Sequence, residues 1–387
     1  MEKFMTFTEQ EYLSRAEKAR KLMAQEGIDA CIFSKGTNIT YFSGYLSYLF
    51  AADFRPFVFI LPANGEPVFV IPAFEAPGAL RNSWCQNVRP WGTFDYCETA
   101  DPIEMLAITL KDMKLDKANV GIELDNGQRM GMTQAQLADL KRRLPELNLV
   151  RSDPVVWGCR KIKSSEEQDY FRKSGLACDL GCKRAVEAMR EGVSEKEVEL
   201  AMCRGFLEGG GIPSFMTITS GPERNTMPNP YASYNKLKKG DLLVMDYGCK
   251  YEGYTTDATR VVFIGEASAR GQELFKGVID IHEKIMAAVK PGIPICRLQE
   301  ICNRRMEELG LEKLWYHRAG HSIGLEIHEL PSIDSMDTTI IEAGMVLAVE
   351  PAVYEPSIGP IRMEDNIIVT ETGFEYLTHY SRDLIIR

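Results

Sequence analysis

Apolar positions recur with helical spacing first between Thr8 and Gly27, where Tyr12, Ala16, Ala19 and Met23 fall on one face. Thr8 and Glu11 have the spacing of a capping box, and Gly27 supplies the stop. Uninterrupted apolar runs follow. Ala30 to Phe33, Phe57 to Leu61 and Val68 to Ile71 read as buried strands, the last two joined by an Asn64-Gly65 turn. Val120 to Leu124 is another short strand, ahead of a helix near Thr133 to Leu144. Strands and helices thus alternate over roughly the first 150 residues, the pattern of an α/β domain.

Ser152-Asp153-Pro154 marks a boundary, giving expected domains at 1–153 and 154–387. Beyond it, Ser164 and Glu167 form a second capping box and open a long helix reaching about Arg190, with a shorter helix after Ser194. After Gly209-Gly210-Gly211 the texture changes. Strands at Leu242–Tyr247, Arg260–Ile264, Val346–Val349 and Asn366–Thr370 are interrupted by helices near 268–289 and 297–309, an α+β pattern. The three glycines lack the flanking residues of a phosphate-binding loop and read as an ordinary loop.

A chain of 387 residues is long enough for two self-sufficient cores. Its 45 Lys and Arg against 55 Asp and Glu give a net charge of -10, which argues against nucleic acid or an anionic membrane as partner. The most apolar stretch, Phe54 to Ala73, is broken by Arg55, Pro56, Pro62, Asn64, Gly65, Glu66, Pro67 and Pro72, so no membrane span is expected. The start, Met1-Glu2-Lys3-Phe4, shows no basic leader before an apolar core, and no secretory signal is expected. Ten scattered cysteines, with Cys178 and Cys182 read as small buried thiols, fit a reduced, cytoplasmic protein.

The unusual chemistry lies in the second half. Of five histidines, His317, His321 and His328 fall within twelve residues. Asp246 ends the run Leu242–Met245, Glu350 ends Met345–Val349, and Glu364-Asp365 immediately precedes Asn366–Val369. A charge at the end of a buried strand must be paired, hydrogen-bonded or bound to metal. One such carboxylate is unremarkable as a turn residue. Several, together with Asp257 and the histidine cluster, point to a shared site. Oxygen-rich donors with one imidazole suit Mn, Fe(II) or Co better than an all-soft zinc cage. Four carboxylates would be neutralised by two divalent ions and would otherwise repel one another.

The ordered motifs carry a specific resemblance. Leu243-Val244-Met245-Asp246-Tyr247-Gly248, Tyr254-Thr255-Thr256-Asp257-Ala258-Thr259-Arg260, Gly320-His321-Ser322-Ile323-Gly324-Leu325-Glu326-Ile327-His328-Glu329, Val349-Glu350-Pro351 and Ile361-Arg362-Met363-Glu364-Asp365 occur in that order. They resemble the pita-bread metallopeptidase superfamily of proline dipeptidase, aminopeptidase P, methionine aminopeptidase and creatinase. Arg160–Glu167 resembles the entry to its catalytic domain, and Gly27–Ile60, with Asn38–Gly44, its creatinase-type N-terminal domain. The resemblance implies an α/β N-terminal domain followed by an α+β pita-bread catalytic domain. It implies two divalent ions held by Asp246, Asp257, His321, Glu350 and Glu364, with Asp257 and Glu364 bridging. Manganese is the expected ion, with cobalt, iron or zinc as alternatives. It further implies a homodimer in which one subunit's N-terminal domain borders the other's site.

By the same resemblance, His328 contacts substrate or steadies developing charge, His317 lines the pocket, and Glu350 adds proton transfer to metal binding. Arg362 matches an arginine that proline dipeptidases place beside the substrate carboxylate. Arg55 is a candidate to reach a neighbouring subunit's site. One position departs from the pattern: where the peptidases carry another histidine before Gly240-Asp241, this chain has Asn229. Asparagine donates a hydrogen bond but shuttles no proton. Asn229 and Tyr231, with Tyr234 nearby, are therefore candidates for an altered substrate pocket.

The expected activity is cleavage of an amide-type C–N bond by metal-activated water, as in Xaa-Pro dipeptidases and aminopeptidases. The alternative is a non-peptidase member, like creatinase, ectoine hydrolase or dimethylsulfoniopropionate lyase, acting on a small carboxylate metabolite. Gly320-His321-Ser322-Ile323-Gly324 also spells a hydrolase nucleophile elbow, which requires a strand before Ser322 and a helix after it; Pro331 follows too soon.

Overall fold

The uninterrupted apolar runs of the N-terminal part become the centre of a six-stranded sheet. In the computed structural model, which describes residues 3–52, 54–125, 128–227 and 229–387, the strand order is Val88–Trp91, Val68–Pro72, Val58–Pro62, Ala30–Phe33, Asn119–Ile122, Asn148–Arg151. Ala30–Phe33 runs antiparallel to Val58–Pro62 and parallel to Asn119–Ile122, so the sheet is mixed. Every residue of the three apolar strands is buried, as expected of strands covered on both faces. Helix Glu9–Glu26 begins where Thr8 accepts a bond from the Glu11 N–H. It ends at Gly27, whose φ of 67° is the left-handed conformation that glycine adopts without steric cost.

Two compact units divide at Arg160/Lys161, one helix beyond the expected 153/154. Helix Asp153–Arg160 stays with the first unit for a clear reason. Its Cys159 carbonyl accepts bonds from Lys18 Nζ (3.0 Å) and the Tyr41 hydroxyl (3.1 Å), and Arg160 Nη1 donates to Asn38 Oδ1 (2.7 Å).

The second unit opens with helices Ser165–Ala188 and Glu195–Glu208, each begun by a complete capping box, Ser164/Glu167 and Ser194/Glu197. One sheet runs Ile385–Ile386, Ala258–Phe263, Leu242–Tyr251, Ile212–Ser220, with the short strand Tyr254–Thr255 paired to Leu242–Tyr251. A second runs Glu329–Ile333, Gly320–Ser322, Val346–Val349, Asp365–Val369, Phe374–Tyr376. A hairpin pairs Ala352–Glu355 with Gly359–Arg362. Helices Ala269–Ala288 and Cys296–Glu308 complete the unit.

Strand alternation assigns the two faces of Leu242–Tyr251 to different cores. Leu243, Met245, Tyr247 and Cys249 pack with Cys178, Cys182 and Met202 of the first helix pair. Leu242 and Val244 join the core built on Leu274, Val278, Leu298 and Met306 of the second pair. Asp246 has the parity of Val244 and therefore points to the second side. No helix among the described residues is long and apolar enough to cross a membrane.

Candidate metal centre

The sheet register lines up the expected ligands. Thr217 pairs with Asp246 and Asp246 with Thr259, and an isolated bridge joins Thr259 to Glu364. One transverse row thus carries two carboxylates. In the second sheet His321 pairs with Ala348, and Glu350 follows the end of Val346–Val349 with its N–H bonded to the Ala319 carbonyl (2.9 Å). Asp257 lies between Tyr254–Thr255 and Ala258–Phe263. Its backbone is clamped by Asn366, whose Oδ1 accepts from the Asp257 N–H (2.7 Å) and whose Nδ2 donates to the Asp257 carbonyl.

All five donors front a cavity of about 940 Å³ within the second unit. His321 Nε2 stands 3.5 Å from Asp257 Oδ2 and 3.6 Å from Glu350 Oε1. Donor atoms lie within 4.8 Å of one another in three sets: Asp246, Asp257 and Glu364; His321, Glu350 and Glu364; and Asp257, His321 and His328. The second set would draw three of its donors from the expected five, and the third admits His328 beside them.

The clustered carboxyls favour either bound protons or a cation. Burial, reinforced by Glu364, Asp246 and Glu350, holds the Asp257 carboxyl well above its usual range. Burial, reinforced by Glu350 and Asp246, does the same to Glu364. Glu350 is pushed up to about 7 by burial, against the opposing charge of Arg362. Glu364 Oε2 accepts from the Thr259 hydroxyl (2.7 Å), while Oε1 is buried with no hydrogen-bond partner among the described residues. An unmet buried carboxylate oxygen beside three other carboxylates fits a divalent ion. His321 is prepared in the same sense. Its Nδ1 lies 3.1 Å from the Ser322 carbonyl, which can only accept, so the proton sits on Nδ1 and Nε2 keeps its lone pair. Burial, then the charge of His328, holds this ring neutral.

The other expected residues fall as follows. His328 lines the cavity, its ring edge-on to His321 at 4.4 Å, and burial lowers its pKa. His317 also lines it. Its Nδ1 donates to the Arg318 carbonyl at 2.6 Å, and burial, then the charge of Arg362, lowers its pKa to about 4. Asn229 and Tyr231 line the same cavity, Asn229 with a φ of 49°; Pro228 beside it lies outside the described residues. Tyr234 is largely exposed. Arg362 Nη1 pairs with Asp246 Oδ2 (2.6 Å) and approaches Glu350 Oε2 (3.7 Å), and Nη2 donates to the Tyr354 hydroxyl (2.9 Å). Arg55 belongs to the first unit, its guanidinium 4.5 Å from the Phe54 ring and 5.6 Å from that of Phe74.

Sequence reading missed Thr259 and Asn366 as braces and Arg318 and Tyr354 as cavity residues. Asn366 had a signal, a polar residue opening the apolar run Asn366–Val369. Arg318 adjoins His317 but carries no spacing of its own. The nucleophile elbow is absent. Ser322 is fully buried in strand Gly320–Ser322, donates to the Val346 carbonyl (3.0 Å), and no helix follows it.

Comparison with known proteins agrees with this geometry. Residues 169–371 match the model of metallopeptidase family M24, and residues 15–162 match the creatinase/prolidase N-terminal domain. The Xaa-Pro dipeptidase of Pyrococcus furiosus is 30% identical over 372 residues, spanning 96% of this chain and 99% of that one. The Xaa-Pro dipeptidase of Lactobacillus delbrueckii is 27% identical, over 95% of this chain and 97% of its own. Among solved structures, the prolidase of Pyrococcus horikoshii superposes with a TM-score of 0.83 at 27% identity, covering 96% of this chain and 100% of that one. The Xaa-Pro dipeptidase of Bacillus anthracis gives 0.86 at 25% identity, covering 97% and 100%. These relatives favour the peptidase expectation over the metabolite-processing alternative. With an N-terminal creatinase/prolidase domain ahead of its catalytic unit, the chain is a metal-dependent hydrolase and belongs to metallopeptidase family M24.

Proposed function

We propose that this protein is an Xaa-Pro dipeptidase using two divalent ions, manganese by preference, and working as a cytoplasmic homodimer to which Arg55 contributes near the partner's site. The observation that carries the reading is the convergence of Asp246, Asp257, His321, Glu350 and Glu364 on one cavity, with Glu364 Oε1 unmet among the described residues. These five would hold the ions. Bound there, such ions polarise an amide carbonyl and bring the pKa of water toward neutrality.

The chain's own groups complete the chemistry. Glu350 fronts the cavity between His321 and Arg362, placed to take the proton of the attacking water. Arg362, which lines the same cavity, keeps Asp246 and Glu350 oriented. His328, at the cavity edge, donates to the carbonyl oxygen as charge develops there. His317 and Tyr231 shape the substrate side. Asn229 supplies a hydrogen bond where a histidine would also supply a proton, so proton delivery falls to Glu350.

The test is a panel of Xaa-Pro dipeptides against creatine, ectoine and dimethylsulfoniopropionate, with Mn(II) supplied. Hydrolysis of Xaa-Pro that is abolished by a chelator and restored by metal supports the reading. Turnover confined to the metabolites would overturn it. Light scattering on the same sample tests the dimer.

A further inference from the structure

Behind two of the histidines lies a buried ion pair that the proposed chemistry leaves unused. Lys163 Nζ stands 3.5 Å from Glu329 Oε2 and donates to the Ser322 hydroxyl oxygen (3.2 Å). Both charged side chains are 1% exposed. Ser322 directly follows His321, and Glu329 directly follows His328. Ser322 and Glu329 are also cross-strand partners, at the point where the register slips after His321. Side chains alternate along a strand, so His321 meets the cavity while Ser322 turns away from it. One ammonium thus holds the residues that follow both rings.

The segment between the histidines is wrapped on the same carboxylate. The Glu326 N–H donates to Glu329 Oε1 (3.3 Å), and a side chain at Gly324 would run into the Glu329 carboxylate. The Gly324 N–H donates to the Glu326 carbonyl (3.0 Å). Lys163 is itself fixed through its backbone. Its N–H donates to the Gly344 carbonyl (2.9 Å), and its own carbonyl accepts from Gln168 Nε2 (3.0 Å). Gly344 leads into Val346–Val349, the strand paired with Gly320–Ser322. Stability explains such a pair poorly, because two charges taken out of water recover little net free energy. Placement explains it better. The rings of His321 and His328 stand edge to face at 4.4 Å, and catalytic geometry tolerates errors of only about 0.5 Å.

We infer that Lys163 is a positioning residue which, through Ser322 and Glu329, sets the spacing of His328 from His321. The inference rests on the reading of His328 as a group that acts on substrate.

The test compares wild type with Lys163→Met, Glu329→Gln and the double variant. The measurements are kinetics on Ala-Pro with Mn(II), metal affinity, Tm, and the cross-ring NOE between His321 and His328 in the metal-free protein. Five histidines keep the ring signals few enough to assign by substitution. Each single variant strands one buried charge and is expected to melt lower. The double variant removes both charges and is expected to regain most of the lost Tm and to bind metal as wild type does. Its kcat is expected to stay about 10- to 100-fold low with KM little changed. Its cross-ring NOE is expected to weaken while the His282 and His379 signals stay in place. A pair that served stability alone would return kcat along with Tm. Wild-type kcat or an undiminished NOE in the double variant overturns the inference and leaves the dipeptidase reading standing. Absence of Xaa-Pro hydrolysis by wild type overturns that reading instead, and the NOE then decides: a weakened NOE with unmoved His282 and His379 signals sustains the inference, and an undiminished one ends it.

Discussion

The Thr259 hydroxyl donates to Glu364 Oε2 across 2.7 Å, leaving Glu364 Oε1 as a buried oxygen with no donor among the described residues. If Glu364 holds metal as proposed, the hydroxyl decides which carboxylate oxygen is left for it. Groups behind a ligand typically contribute about 10–100-fold to metal affinity. Thr259→Val should weaken metal binding by about that factor, with Thr259→Ser restoring most of it. Competition with a fluorescent chelator measures this, and an unchanged affinity in the valine variant would refute the brace.

Asp257, Glu350 and Glu364 all hold protons more tightly in the folded, metal-free chain than ordinary carboxyls do. For groups raised in this way, the stability contribution is complete below the unfolded value of about 4 and is lost as pH rises through the folded values. Glu350, at about 7, places part of that loss near neutrality. These three carboxyls should therefore favour the metal-free fold less at pH 8 than at pH 5.5, while the lowered pKa values of His317, His321 and His328 act in the opposite sense. Metal at a hundredfold excess over Kd adds about 2.7 kcal/mol, and because ions displace protons the gain should be larger at pH 8. A metal-induced rise in Tm that is equal at both pH values would sink this account.

Glu195 is fully buried at the start of helix Glu195–Glu208 and gathers the segment that carries Asn229 and Tyr231. Its carboxylate accepts from Ser220 N–H (2.8 Å) and hydroxyl (3.1 Å), from Arg224 Nε (2.9 Å), and from Ser233 N–H (3.0 Å) and hydroxyl (2.8 Å). Arg224 Nη2 in turn donates to the Tyr231 carbonyl (2.9 Å). Glu195→Gln replaces an acceptor oxygen with a donor and leaves Arg224 without its counter-charge. Bonds to charged groups contribute roughly 1.5–3 kcal/mol each. KM should rise about tenfold while metal affinity holds, a separation that general unfolding would not produce.

Asp365 neighbours Glu364 but faces away from the cavity. Burial pushes its carboxyl up, yet Arg260 (2.7 Å), His282 (3.3 Å) and Arg382 (2.6 Å) hold it at about 2. A depressed group stabilises above its unfolded value near 4, and that stability is lost as pH falls toward 2. Asp365→Asn strands the buried Arg260 and should cost about 3–5 kcal/mol at pH 7. The gap between wild type and variant should shrink progressively from about pH 5 and close only below about pH 2 in denaturant titrations. A constant gap would show that shape, and not charge, is what the site requires.

How much was legible depended on whether the signal was local. The helix at Glu9–Glu26 and the capping boxes at Ser164 and Ser194 could be read because cap, period and stop lie within one segment. That Asp246, Asp257, His321, Glu350 and Glu364 front one cavity could be expected because each lies in a motif of fixed order that resembles the family's. Strand Ile212–Ser220 was missed. Its exposed and half-buried residues blur the alternation, and what defines it is pairing with Leu242–Tyr251. The Arg160/Lys161 division was missed for a similar reason, since the bonds that hold Asp153–Arg160 come from Lys18, Asn38 and Tyr41. That Arg362 is occupied by Asp246, 116 residues earlier in the chain, is a fact of tertiary structure alone.

The alternation along Leu242–Tyr251 sets what this protein tolerates as it diverges. Substitutions at Leu243, Met245 or Cys249 are felt by the helices on their own side and can be absorbed by repacking Cys178, Cys182 or Met202. A single-residue insertion or deletion before Asp246 has no such remedy, because it turns the carboxylate from the cavity to the helices and carries an apolar side chain into its place. The strand is thus permissive in spelling and strict in length, and descendants of this chain should vary freely at alternate positions while keeping fixed the count of residues from Leu242 to Asp246.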